Sequence, residues 1–243
     1  MGFAKLQISV VGTNRELSFR PGTSDETTIQ QIFGRNDYNL TALGRYSELA
    51  AYYQRRREEG KYGLVVDAGA NIGASAILFA LTCPGSAVAA IEPDKGNFDL
   101  LTANTAGLPV SCLRAAVASR AGHAAVVDVG EGHWGYQTRI IADGTPTDQA
   151  VPCVTIDQIY RDYAAEHFPF IVKIDIEGAE ADLFSANTAW VAITPLIIVE
   201  LHDWLMPKMG TSRSFLQCIA QLDRDFIYIG ENVFSIANDL TGR

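Results

Sequence analysis

The sequence predicts an α/β protein built on a parallel sheet with helices on both faces. Three observations carry this. From Leu64 onward, short apolar runs alternate with helical stretches, the pattern of a parallel sheet covered on both sides. The first run leads through Val65-Val66-Asp67-Ala68-Gly69-Ala70-Asn71-Ile72-Gly73, a strand, a glycine-bearing turn and the start of a helix. The last two runs are separated only by Gly230-Glu231-Asn232. That is too short for a crossover, so they form an antiparallel pair at the end of the sheet.

The elements follow in order. Residues 6–11 and 16–19 flank Gly12-Thr13-Asn14 and read as a small β-hairpin. Residues 24–60 read as helical, with Ile29, Ile32 and Phe33, then Leu43, Tyr46, Leu49 and Tyr53, at helical spacing. This front section, residues 1–60, is expected to cap or lid a domain formed by residues 61–243. Candidate strands there are 64–66, 87–91, 110–116, 170–174, 196–201, 226–229 and 233–236. Between the first two lies a helix with Ile72, Ala76, Phe79, Ala80 and Cys83 on one face, stopped by Pro84-Gly85. The next helix carries Phe98, Leu101 and Thr105. Residues 123–129 read as an extra strand, and residues 130–149 as a long Gly- and Asp-rich loop. The expected sheet has seven main strands, the last of them reversed.

Composition narrows the function. The 243 residues are 48% hydrophobic and 19% charged, ordinary for a globular chain. The formal net charge of −9 argues against a nucleic acid or an anionic membrane surface as partner. Arg55-Arg56-Arg57 runs directly into Glu58-Glu59 and reads as a solvated helix end. Cys83, Cys112, Cys153 and Cys218 are far apart with no C-x-x-C pair, so no metal centre is predicted from them and reduced thiols of a cytoplasmic protein are expected; the acids near Asp175 either bind a divalent metal or pair with Lys173. No secretory signal is visible at the N-terminus. Residues 190–201, the longest nearly apolar stretch, contain Pro195 and Glu200 and are too short to span a membrane. A homodimer is left open.

Four constellations carry chemistry. Asp67, Gly69, Asn71 and Gly73 form a D-x-G-x-x-x-G loop, distinct from the G-x-G-x-x-G of dinucleotide enzymes. An acid at that strand end repels a pyrophosphate and attracts an ammonium or sulfonium. This favours S-adenosylmethionine over a nicotinamide. Gly69 lets the backbone turn and approach a ligand, and Gly73 is expected to let helix and strand pack closely. Glu92, at the end of the second strand, is placed to accept ribose hydroxyls, with Pro93-Asp94 setting the turn. Lys173, Asp175, Glu177 and Glu180 crowd the carboxyl end of a buried strand, where unpaired charge is costly; Glu177 and Glu180 could equally serve a helix N-terminus. His202 leaves the next strand at the same edge. With an ordinary pKa of about 6.5 it can accept a proton from an alcohol, although a lone histidine is more often structural. His133-Trp134-Gly135 lines a substrate pocket or merely decorates the surface.

Together these residues resemble the FkbM-type methyltransferases. That family carries D-x-G-A-N-x-G, matched from Asp67 to Gly73. It carries an acid-Pro pair, matched by Glu92-Pro93, and K-I-D-[VI]-E-G-A-E, matched from Lys173 to Glu180. Val151-Pro152-Cys153-Val154-Thr155-Ile156-Asp157 fits its V-P-x-x-T-[LI]-D segment. The resemblance implies the class I methyltransferase fold, a Rossmann-like seven-stranded sheet with its last strand antiparallel, and S-adenosylmethionine as cofactor. It implies that Asp67, Gly69 and Asn71 hold the methionine part and Glu92 the ribose, with Gly73 and Pro93 also in the cofactor site. Ala116-Val117 would face the adenine and Asp175 the sulfonium. It also implies O-methylation of a small molecule or glycan; His202, from its place after the fifth strand, and Asp175 are the catalytic candidates. A nicotinamide-dependent oxidoreductase would want a third glycine and a Tyr-x-x-x-Lys pair, which are absent. A non-catalytic binding module would have no physical need of Asp67 and Glu92.

Overall fold

The computed structural model describes residues 2–128, 136–141 and 150–241. The hairpin comes first. β1 (Ala4–Val10) pairs antiparallel with β2 (Thr13–Phe19), from Ala4 opposite Phe19 to Val10 opposite Thr13. Its turn is Val11 at φ 48 and Gly12 at φ 77, the two positive values that a tight hairpin turn requires. Thr13 and Asn14 therefore belong to the strand and not to the turn. α1 (Ser24–Ile29) starts at Thr23, whose hydroxyl accepts from the Asp25 amide, and runs into a π-helical turn, Gln30–Gly34. After a 3-10 turn at Leu40–Ala42 comes α2 (Tyr46–Glu58). The helical stretch expected over 24–60 is thus broken, and Asn36 takes the left-handed φ of 58 that reverses the chain.

The chain continues through β3 (Tyr62–Ala68), α3 (Ala74–Thr82), β4 (Ala87–Ile91), α4 (Lys95–Asn104) and β5 (Val110–Leu113). Then come β6 (Ala116–Val117), β7 (Gly122–Asp128), β8 (Tyr136–Ile141), β9 (Ala150–Val154) and α5 (Ile156–Tyr163). The last stretch holds β10 (His167–Ile174), α6 (Glu180–Leu183), α7 (Ala189–Ile193), β11 (Leu196–Glu200), α8 (Arg213–Ile219), β12 (Arg224–Ile229) and β13 (Asn232–Ala237). The main sheet has seven strands in the order β12-β13-β11-β10-β3-β4-β5. β11, β10, β3, β4 and β5 pair in parallel, and β13 runs antiparallel to both β11 and β12.

A second, four-stranded sheet has the order β6-β9-β7-β8. This corrects two expectations. The strand read over 110–116 stops at Leu113, and Ala116-Val117 pairs instead with Cys153 and Val154 of β9. The presumed loop 130–149 contains β8, which pairs with β7. Residues 129–135 and 142–149, including His133, Trp134 and Gly135, lie outside the described residues.

Alternation along β3 divides the core. Val65 joins Leu17, Ile32, Leu49, Phe79 and Phe234 on one face. Leu64 and Val66 join Trp190, Phe215 and Ile219 on the other. Residues from the N-terminal hairpin and helices therefore share one apolar cluster with the sheet. Their attachment also uses the arginine run, which is not simply solvated: Arg56 lies 5.4 Å from the Phe168 ring centre and Arg57 4.4 Å from that of Tyr62, within cation–π range. The four cysteines are free. Among the described residues no helix is long and apolar enough to cross a membrane.

Candidate functional site

The site lies where β3, β10 and β11 end side by side. Their register sets Lys173 beside Asp67 on one side and Ile198 on the other. Asp67 is completely buried. Its Oδ2 accepts from the Ser75 hydroxyl at 2.6 Å, and its Oδ1 lies 3.3 Å from Lys173 Nζ. Lys173 also donates to the Gly69 carbonyl at 2.7 Å. Burial alone would depress the Lys173 pKa, but Asp67, Tyr38 and Asp175 together raise it. Asp67 thus sits beneath the loop and anchors it. Its Oδ1 has no hydrogen-bond partner.

The loop above it is shaped by backbone contacts. Gly69 and Ala70 donate to the Ile91 carbonyl at 3.0 and 2.9 Å. Gly69, at φ +79, packs so closely that a Cβ there would stand 1.7 Å from the Asp175 carbonyl oxygen. Asn71 adopts φ 49; its amide donates to Glu92 Oε2 at 2.9 Å, and its buried Oδ1 has no hydrogen-bond partner. Gly73 precedes α3 at φ +91, and a Cβ there would meet Leu101 and Thr105 at 3.0 and 3.2 Å. The close packing at Gly73 is therefore against α4, a correction of the expected contact with a strand.

Glu92 is 5% exposed. One oxygen takes the Asn71 amide and the other the Asp94 amide, each at 2.9 Å. Burial pushes its pKa up to about 7 against the pull of these two bonds. After Pro93, Asp94 caps α4 by accepting from the Asn97 amide at 2.8 Å. Arg20 links the hairpin to this corner, donating to Asp25 from Nη2 and Nε at 2.7 and 2.9 Å and to Asn97 at 2.5 Å. Ala116 and Val117 are buried in the second sheet and do not extend β5, so the strand-end position expected for them is corrected.

Beyond Lys173 the acids gather around His202, which is 1% exposed. Nδ1 donates to Glu180 Oε1 at 2.9 Å. Nε2 faces Asp175 Oδ1, Glu177 Oε2 and Glu200 Oε1 at 3.6, 3.5 and 3.6 Å. Burial would lower the His202 pKa, but the Glu180 bond and the charges of Glu180, Asp175 and Glu177 lift it to about 10. The general base expected at His202 would act through the neutral ring, which these acids disfavour while they are ionised. Burial and the Asp175 charge raise Glu177 to about 7 and Glu200 to about 8. Glu177 stands at φ 54 before Gly178 at φ 93, so the motif turns sharply here. Glu180, far from merely favouring a helix start, is fully buried and orients the imidazole.

A small cavity of about 30 Å³ opens between the loop and the acids. It is lined among others by Tyr38 from the N-terminal section, Asn71, Lys173, Asp175, Glu200 and Asn232. The structure thus brings Gly69, Asn71 and Asp175 to one opening. Sequence reasoning missed Tyr38, Glu200 and Asn232. Glu200 had a local signal, since it ends a strand as Glu92 does and shares a face with His202 two residues on. Tyr38 and Asn232 reach the site only through long-range packing, and nothing local marks them.

The family model described as the methyltransferase FkbM domain matches residues 67–228. A hexuronic acid methyltransferase, AglP, of Haloferax volcanii is 31% identical over 149 residues, 58% of this chain and 57% of the relative. Among solved structures, a 16S rRNA methyltransferase of T. thermophilus (RsmC) in complex with AdoMet and guanosine covers 97% of this chain and 50% of its own, at 14% identity and a TM-score of 0.38. WbdD covers 81% of this chain and 41% of its own, at 13% identity and a TM-score of 0.42. The chain thus spans little more than half the length of the curated relative it matches. With its model matched from Asp67 through Tyr228, the chain belongs to the methyltransferase FkbM family.

Proposed function

We propose that the protein transfers a methyl group from S-adenosylmethionine to a hydroxyl of a small molecule or sugar. The observation that carries this is the loop over Glu92. Asn71 lines the cavity and its buried Oδ1 is unpartnered, an acceptor suited to an α-ammonium group, while its backbone amide donates to Glu92. In this reading Gly69, Asn71 and Gly73 shape the methionine site, Glu92 with Pro93 takes the ribose, and Asp175 faces the sulfonium. The segment at Ala116-Val117 borders the adenine.

In the reaction the acceptor oxygen forms a bond to the methyl carbon as the carbon–sulfur bond breaks. Sulfur leaves with the electron pair as a thioether, and the hydroxyl proton passes to a base. Holding the oxygen about 3 Å from the carbon and in line with sulfur supplies several kcal/mol. Glu177, held near 7, is matched to take the proton at neutral pH. The hexuronic acid named for the AglP relative favours a sugar acceptor. Calorimetry with S-adenosylmethionine, S-adenosylhomocysteine and NAD tests the cofactor; binding of NAD alone would refute it. Radiolabelled methyl transfer to neutral sugars and to hexuronic acids tests the acceptor. Glu177→Gln should lower turnover by roughly 10²–10⁴-fold with cofactor affinity unchanged; normal turnover would remove Glu177 from the reaction.

A further inference from the structure

The arrangement around His202 Nε2 is not one that hydrogen bonds complete. Three carboxylate oxygens, from Asp175, Glu177 and Glu200, stand 3.5–3.6 Å from this one nitrogen. A charge-assisted bond between a ring nitrogen and a carboxylate closes to about 2.7–2.9 Å. Donor atoms sharing a cation at about 2.1 Å, by contrast, stand roughly 3.0–3.5 Å apart, the edges of an octahedron or a tetrahedron. The spacing around Nε2 is thus open for a hydrogen bond and close to what a shared cation needs. The ligand atoms offered by Asp175, Glu200 and His202 all lie within 4.8 Å of one another.

Two further observations point to a ligand. Asn232 is 4% exposed and its Oδ1 has no hydrogen-bond partner. It is the cross-strand partner of Glu200 and lines the same cavity as Asp175 and Glu200, so a residue with a spare oxygen donor stands beside the acids. The other ring nitrogen of His202 is meanwhile held by Glu180 at 2.9 Å. Metal-ligating imidazoles are oriented in this way, by a carboxylate on the far side of the ring.

We propose that Asp175, Glu200 and His202 bind a divalent cation that accepts both oxygen and imidazole ligands, with Asn232 Oδ1 as a further donor and Glu180 as the positioning residue. Cysteine spacing predicts no zinc centre and leaves open whether the acids near Asp175 hold a divalent metal; this ligand set is assembled from the ends of neighbouring strands. It deepens the proposed function, on which its catalytic meaning rests. A cation there would add the acceptor oxygen to its ligands, ease loss of the hydroxyl proton and offset negative charge on an acidic sugar.

Chelator-stripped full-length protein should be titrated with MnCl₂, with free Mn²⁺ read by electron paramagnetic resonance and no cofactor or acceptor present. The expected result is one Mn²⁺ per chain, competed by Zn²⁺. Glu200→Gln and His202→Gln should each weaken binding at least tenfold. Glu180→Ala should weaken it roughly 10–100-fold, and Glu180→Gln should restore most of the loss, because an amide oxygen still accepts from Nδ1–H. Absence of stoichiometric Mn²⁺ on the unaltered chain overturns the proposal, and so does equal affinity in folded variants. Calorimetry with S-adenosylmethionine on the same samples separates the two readings. Cofactor binding without Mn²⁺ binding sinks only the cation, and Mn²⁺ binding without cofactor binding sinks the proposed function.

Discussion

Glu92 gives the sharpest test of the cofactor site. Its folded pKa of about 7 stands above its ordinary 4.5, so the folded chain holds this proton more tightly than the unfolded one. The stability tied to it is fully present below about 4.5 and is lost as pH rises through 7, a loss of about 3 kcal/mol. Cofactor binding runs the other way. Ribose hydroxyls donate more strongly to the carboxylate than to the acid, so binding favours the ionised form. With a pKa near 7, roughly a tenth of the population is ionised at pH 6 and roughly nine-tenths at pH 8. S-adenosylmethionine should therefore bind nearly tenfold more tightly at pH 8 than at pH 6. Glu92→Gln is neutral throughout. It also turns an amide nitrogen towards one of the two backbone donors, Asn71 or Asp94, and so loses one charge-assisted bond worth about 1.5–3 kcal/mol. It should bind the cofactor more weakly at pH 8, show little change between the two pH values, and unfold in urea with a flatter pH dependence. Calorimetry and urea melts on both proteins decide this. Parallel pH curves for the two would refute the reasoning.

Three other substitutions follow from the geometry. Gly69→Ala places a Cβ 1.7 Å from the Asp175 carbonyl oxygen at φ +79, so the loop must move by more than about 1 Å at a conformational cost of about 1 kcal/mol or more; cofactor affinity should fall at least tenfold, and wild-type affinity would exclude the loop as the binding element. Asp25→Ala removes three bonds from Arg20, through Nη2, Nε and the backbone amide, beneath the hairpin and beside Asn97; urea unfolding should show a loss of about 3 kcal/mol, and a loss under about 1 kcal/mol would show the pair to be dispensable. Arg224→Lys replaces a buried guanidinium that donates to Ser235 Oγ and to the carbonyls of Val191, Thr194, Pro195 and Ser235. One ammonium cannot reach them all, so the thermal midpoint should drop with a loss of about 2–4 kcal/mol, and an unchanged midpoint would refute the tie from β12 to β13 and the segment before β11.

What the sequence determined by itself was local. Hydrophobic alternation and turn chemistry located β4 to the residue and β3, β10, β11, β12 and β13 to within a few. Both signals reside in neighbouring residues, since a strand exposes alternate side chains to opposite faces and only glycine takes a left-handed φ freely. The D-x-G-A-N-x-G loop, Glu92 and the acid-rich end of β10 were legible for the same reason. The break between Leu113 and Ala116 and the strand β8 were not, because they depend on pairing with β9 and β7. The chemical state of the site also lay outside the sequence. Asp67 reads as an acid at a strand end, with nothing local to mark Lys173 3.3 Å from it. His202 reads as an ordinary imidazole until four carboxylates are found around it. A pKa, an ion pair or a set of ligand atoms is decided by charges a few ångströms away in space. Only the tertiary structure brought Glu180, Glu200 and Asn232 to that distance, because Coulomb energy follows separation and desolvation rather than order along the chain.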